Sequence, residues 1–336
     1  MNRRGPRWAR LSVQGLSLVE LLVAMLLGVI LSGGMVTAYL GAKQNSFYEE
    51  QMARMQENGR YAMRLLSREL FMAGFFAGVP TMEGISPASA GTDCSDRDWV
   101  LDGTNPLDLV NDFAGQSVPV SLGHTPFTCL DGGGIVPGTD LLAIKRTAGE
   151  ASLRRGSPAE GLTRSTVQSW YLRLASGEPQ AWEKLAPVDL LDPDKANPSG
   201  SYWKAISRIF FIRKYSDAED QGDEIPTLCM ETLAGGAMTS RCLVEGVENM
   251  QFEFGIDTDA DGVPNQYKSD PSAEEMQYAV GAKIHLLLRS INRISGFKNG
   301  TTYTLGQKVL TARHDAYLRR VFSSTVLLRN RSEPLG

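Results

Sequence analysis

The chain has 336 residues, 42% of them hydrophobic, and carries 34 basic against 38 acidic side chains. That length and apolar share can bury the core of one large domain or two small ones. The acidic surplus argues against a nucleic-acid partner, which would need a basic face.

The chain opens with Arg3, Arg4, Arg7 and Arg10 and no acid in its first fifteen residues. Twenty residues without a charge then run from Leu21 to Leu40. As a helix they would cover about 30 Å, the thickness of a bilayer's hydrocarbon core. The basic flank keeps its own end cytoplasmic, so the rest of the chain is expected to be exported. A cleaved secretory signal would have an apolar core of roughly 7–15 residues followed by a small-residue site, and neither is found. A plain anchor leaves Glu20 unexplained, because an ionisable group at the edge of hydrocarbon is costly unless neutral or paired.

The run Gly15-Leu16-Ser17-Leu18-Val19-Glu20-Leu21-Leu22 resembles the processing site of type IV prepilins and type II secretion pseudopilins. The resemblance implies cleavage after Gly15 by a prepilin peptidase and methylation of the new amino terminus, Leu16. Leu16 stands where phenylalanine is commoner. It also implies that Glu20 acts in assembly, facing the amino terminus of a neighbouring subunit. The physics agrees, since a carboxylate and an ammonium tolerate burial in hydrocarbon as a satisfied pair. Residues 1–15 would be a cytoplasmic leader, and residues 16–40 the membrane-spanning or filament-core half of a helix. Cleavage would remove four arginines and leave 30 basic against 38 acidic side chains, formally minus eight.

From residue 41 to 78 the pattern becomes amphipathic. Tyr48, Met52, Met55, Gly59, Ala62, Leu66 and Leu70 recur at steps of three and four, the spacing of one helix face. Glu49, Glu50, Arg54, Glu57, Arg60, Arg64, Arg68 and Glu69 lie between them and suit a solvated or partner-facing surface. No proline interrupts residues 16–79, which predicts one helix of about fifty-five residues ending near Gly74 or Gly78. Ala24, Gly28 and Ser32 form a row of small residues that lets neighbouring helices approach.

Residues 79–336 are expected to form the exported β-rich domain. Its first part, to about Pro137, is rich in Gly, Pro, Ser and Asp and is read as loop. It holds Cys94 and Cys129, with Cys229 and Cys242 further on. Four cysteines in an exported domain predict two disulfides with three possible connectivities. The local closures Cys94–Cys129 and Cys229–Cys242 are the expected ones. A zinc site would want closely paired cysteines, which are absent.

Strand signals dominate from there: 141–144, 167–174, 206–212, 243–256 and 321–328, with a strict period of two over Val280–Leu288. Strands without intervening helical patterns point to antiparallel sheet. The expected class is α+β: a long amino-terminal helix packed on antiparallel sheet, pilin-like, with long loops.

Asp257, Asp259 and Asp261 alternate ahead of Gly262, matching the opening of a calcium loop, with the Val263 carbonyl and Asn265 as further ligands. Position 12 is Lys268 where a bidentate glutamate is needed, although Asp270 could substitute in a longer loop. The competing reading is a hairpin loop built on Asx turns. No cofactor is required, and calcium is the candidate.

Chemistry is poorly supported. Ser201-x-x-Lys204 matches a penicillin-binding element in form only, its serine preceding a strand instead of opening a helix. His124, His285 and His314 are scattered, and His285 is read as a solvated strand residue. The chain is not expected to be an enzyme.

Residues 54–70, 244–252 and 317–323 also resemble PilW-type minor pilins. That resemblance implies an inner-membrane subunit with a cytoplasmic amino terminus and periplasmic domain. It would then enter a type IV pilus, at or near the tip, and help initiate assembly. The partners implied are other minor pilins, the major pilin, the prepilin peptidase and the inner-membrane assembly machinery. The alternatives are a J-type secretion pseudopilin and, in another class, a membrane-anchored adhesin.

Overall fold

The structure, a computed structural model, describes residues 17–88, 94, 99–115, 129–130, 132–217, 222–235 and 237–330. The chain divides into two compact units, residues 1–50 and 51–336. Helix α1 (Leu18–Met72) opens it, followed by the short strand β1 (Leu107–Val110). Next come β2 (Leu141–Thr147), β3 (Leu153–Arg154), β4 (Ser157–Pro158), β5 (Ser169–Leu174) and β6 (Ala181–Leu185). The long β7 (Ser201–Arg213), β8 (Thr227–Ala234), β9 (Ala237–Glu245) and β10 (Val247–Ile256) continue it. The last part holds β11 (Gln266–Lys268), α2 (Ala273–Gln277), β12 (Ala279–Arg289), β13 (Tyr303–Leu305), β14 (Lys308–Leu310) and β15 (Arg319–Leu327).

Two sheets carry the second unit. The first has nine strands and turns on β7, whose start pairs with β3 and β5 and whose end pairs with β2 and β8. The second runs β11-β10-β12-β15, with β13 and β14 forming a separate hairpin. Every described pairing is antiparallel, so the α+β class stands.

Residues 243–256, expected as one strand, are two strands in different sheets. The break is Gly246, at φ +81°. There a Cβ would meet the Arg289 carbonyl at 2.7 Å, while the Gly246 carbonyl accepts from Arg289 N–H at 2.8 Å. A side chain is excluded by that close approach as well as by the left-handed backbone. The stretch before Pro137 is also not all loop, since β1 lies in it.

The buried side of α1 is its step-of-three-and-four face. Met55, Ala62, Leu66 and Leu70 join Leu142 and Phe210 of the first sheet and Phe252, Ile284 and Leu286 of the second in one core. Deleting Leu66 or Leu70 would cost about 2–5 kcal/mol, because both are fully buried. Gly59 is a point of close approach: a Cβ there would sit 2.5 Å from the Phe322 ring of β15. The opposite face of the first sheet builds a second core around Trp99, Trp170, Trp182, Trp203 and Phe211. Phe210 and Phe211 fall into different cores because successive strand residues point to opposite faces.

The end of α1 is held from elsewhere. Gly74 turns left-handed at φ +76°, its N–H donates to Lys145 O at 3.1 Å, and Asn330 Nδ2 donates to Phe71 O at 3.0 Å. Both expected disulfides are present, Cys94–Cys129 and Cys229–Cys242, the second joining directly opposed residues of β8 and β9.

One residue of α1 departs from the expected solvated surface. Glu69 is 2% exposed. Its carboxylate accepts from Arg146 Nε at 3.0 Å and Nη2 at 2.9 Å, and also from Arg208. Arg146 lies on β2 and Arg208 on β7, diagonal to each other on adjacent paired strands, so one acid ties the helix to two strands. A bidentate, charge-assisted pair is among the strongest of hydrogen-bonded contacts, and removing one partner leaves buried charge uncompensated. Glu69→Ala is therefore expected to lower unfolding free energy by about 3–5 kcal/mol in denaturant titrations.

A second buried acid joins the sheets. Asp140 accepts from Asp112 N–H at 3.0 Å and from Phe252 N–H of β10 at 2.7 Å. Burial pushes its carboxyl up to about 7 against the pull of those two donors. Glu231 on β8 is likewise raised to about 7 by burial. A raised acid binds its proton more tightly folded than unfolded. Its stabilising contribution is thus complete below about pH 4 and is lost as pH rises to about 7. Each group tilts stability by at most about 1.4 kcal/mol per pH unit in that window. Stability measured from pH 5 to 7.5 should fall for the native chain and fall less steeply for Asp140→Asn.

Candidate functional site: the apolar half of α1

The apolar run 18–40 forms helix throughout and is exposed along its length. Leu18, Met25, Val29 and Met35 are among its most exposed side chains. Among the described residues, α1 is the helix long and apolar enough to cross a membrane. So large an apolar surface on one element needs lipid or other helices to cover it. Gly28, Gly33 and Gly34 have open space where a Cβ would stand, and they face different sides of the helix, so a neighbouring backbone can come close at each.

Glu20 sits in the first turn, and the structure adds a partner for it. Ser17 N–H donates to Glu20 Oε2 at 3.0 Å, and Glu20 N–H donates to Ser17 Oγ at 3.2 Å. That reciprocal pair is a capping box, which satisfies two backbone donors left open by the first turn. Ser-x-x-Glu ahead of an apolar run is its sequence signature, so Ser17 was there to be found. Gly15 and Leu16 lie outside the described residues.

The aspartate loop connects β10 to β11. Asp257, Asp259 and Asp261 bring carboxylate oxygens within 4.8 Å of one another, an arrangement that could hold a metal ion. The same carboxylates also serve the loop itself. Asp257 accepts from the N–H groups of Gly262 and Asp259, and Asp261 from that of Val263. Asn265 uses its Oδ1 on Thr258 and its Nδ2 on Asp259. Lys268 is a strand residue opposite Phe254, ion-paired with Glu275. The twelfth position thus offers a cation instead of a ligand.

Two further expectations are resolved by β geometry. Ser201 and Lys204 lie three apart in β7, which puts their side chains on opposite faces, so they make no dyad. His285 is partly exposed, on the strand face opposite the buried Ile284 and Leu286, and it also has partners. Its ring lies between Ser323 Oγ at 2.9 Å from Nδ1 and Glu253 Oε2 at 3.2 Å from Nε2, across three neighbouring strands.

Residues 209–330 match the family described as type IV pilus-assembly protein W. No curated protein sequence matches the chain. Among solved structures, a type IV-like pilin from Thermus thermophilus aligns over 83% of this chain and 98% of its own, at 11% identity and a TM-score of 0.36. The similarity to the pilus-assembly protein W family thus runs from the second half of β7 to Asn330.

Proposed function

We propose that the chain is a minor pilin of a type IV pilus that helps initiate assembly, at or near the tip. It would be made as a prepilin, cut after Gly15, methylated at Leu16, and held in the inner membrane with its domain in the periplasm until assembly. Other minor pilins, the major pilin, the peptidase and the inner-membrane machinery would be its partners. The observation that carries this reading is the exposed apolar half of α1, residues 18–40, whose one acid, Glu20, is placed in its first turn. In water-free surroundings that acid calls for a cation, and a neighbour's amino terminus supplies one. A J-type pseudopilin would use the same device in secretion.

Because Glu20 also closes a capping box, charge and cap must be separated. Glu20→Gln keeps a side chain able to cap but removes the charge, whereas Ser17→Ala removes the cap and keeps the charge. Recovery of tagged subunit in sheared pili should collapse for Glu20→Gln and persist for Ser17→Ala, with the domain's melting temperature unchanged in both. The opposite ranking would reduce Glu20 to a helix cap.

The convergence of three carboxylates favours one addition: we propose that the 257–265 loop takes calcium as a structural ion, with no role in chemistry. Millimolar calcium should then raise the melting temperature of the native chain by a few degrees, and Asp259→Ala should remove the rise. An unchanged melting temperature in the native chain would leave the loop as a self-sufficient turn.

A further inference from the structure

A cavity of about 210 Å³ lies between β10 and the β13–β14 hairpin, lined in part by Asp112, Gln251, Glu253, Ser269, Gln307 and Lys308. Its volume is below the roughly 300–1,000 Å³ usual for whole small molecules, so it suits the head of a side chain. The lining holds two carboxylates and one lysine, and Lys308 is committed to Asp112. That leaves a negative surplus. Glu253 gives Oε2 to His285, and its Oε1 has no donor among the described residues. Gln251 spends its amide N–H groups on Gly138 O and Asn249 Oδ1, and Gln307 directs its own at Tyr267 O. What both glutamines have left is carbonyl oxygen.

The backbone is arranged to keep that carboxylate there. Gly306, in the hairpin turn at φ +59°, passes so near Glu253 that a Cβ would stand 2.7 Å from its Cδ and 2.9 Å from Oε1. Any side chain at 306 would displace the carboxylate, so the turn closes over it only as glycine. Lys283, opposite Glu253 in register, places its ammonium 3.5 Å from the centre of the Tyr267 ring instead.

We propose that this cavity recognises an alkylammonium or guanidinium head, a group with several N–H donors and one positive charge. Such a head satisfies Glu253, the two amide carbonyls and the outer oxygen of Asp112 together. A bare divalent ion is a poorer occupant, because two carboxylates, one already neutralised, do not complete a coordination shell. The source is either a basic side chain of another protein or a free amine.

Saturation-transfer NMR titrations on the detergent-solubilised full chain at low salt test this with N-acetyl-lysine methylamide, n-butylammonium and glucose. Saturable binding of both cations is expected, with none of glucose. Glu253→Gln should weaken the cations at least tenfold. Gln307→Lys, an exposed turn substitution that tethers an ammonium at the rim, should abolish their binding without unfolding the domain. A lysine amide held more tightly than n-butylammonium assigns the site to a protein side chain, and equal affinities assign it to a free amine. The proposal is overturned if neither cation saturates, if glucose binds as well as they do, or if cation binding survives Gln307→Lys unchanged.

Discussion

One unbroken helix has to satisfy two different surroundings, and the rest of the structure is arranged around that constraint. From Leu18 to Leu40 α1 shows apolar side chains in every direction, which only lipid or a bundle of like helices can cover. From Gln51 to Leu70 the same helix turns one face into a water-soluble domain. Backbone hydrogen bonding is complete within a helix in either medium, so the chain changes surroundings by changing side chains alone. No proline or break is needed between the two.

The domain's hold on α1 is accordingly of two kinds. Apolar contact is broad and non-directional, spread from Met55 to Leu70 over both sheets. Position along the helix axis is set by directional contacts. Glu69 is fixed by two arginines on adjacent strands, Gly59 accepts the Phe322 ring, and Asn58 Nδ2 donates to the Glu245 carbonyl at the sheet crossover. Burial decides which face of the helix turns inward, and the pairing of Glu69 with Arg146 and Arg208 adds a directional contact that fixes its position along the axis.

Period, charge and cysteine spacing made α1, the antiparallel class, five of the six strand regions and both disulfides legible in the sequence. Its helical face is readable because seven apolar positions keep step over six turns. Contacts between distant segments were not readable. Glu69 looks like any other charge on a helix until Arg146 and Arg208 are folded against it. The run 243–256 reads as one strand because apolar alternation says nothing of which sheet a strand joins. Only the Arg289 carbonyl beside Gly246 shows why it must break. The partners of His285 were hidden for the same reason, lying 32 and 38 residues away. In the apolar half the residue pattern pointed to Glu20 but passed over Ser17, its neighbour in the capping box.

The central claim is that residues 18–40 reside in an apolar phase while the domain stays in water. All four native cysteines are in disulfides, so a single added cysteine at Ile30 can be spin-labelled selectively in the full chain reconstituted in vesicles. Electron paramagnetic resonance then compares relaxation by oxygen, which concentrates in hydrocarbon, with relaxation by a water-soluble nickel chelate. High oxygen and low nickel accessibility at position 30 is the predicted result; the reverse ordering would contradict it.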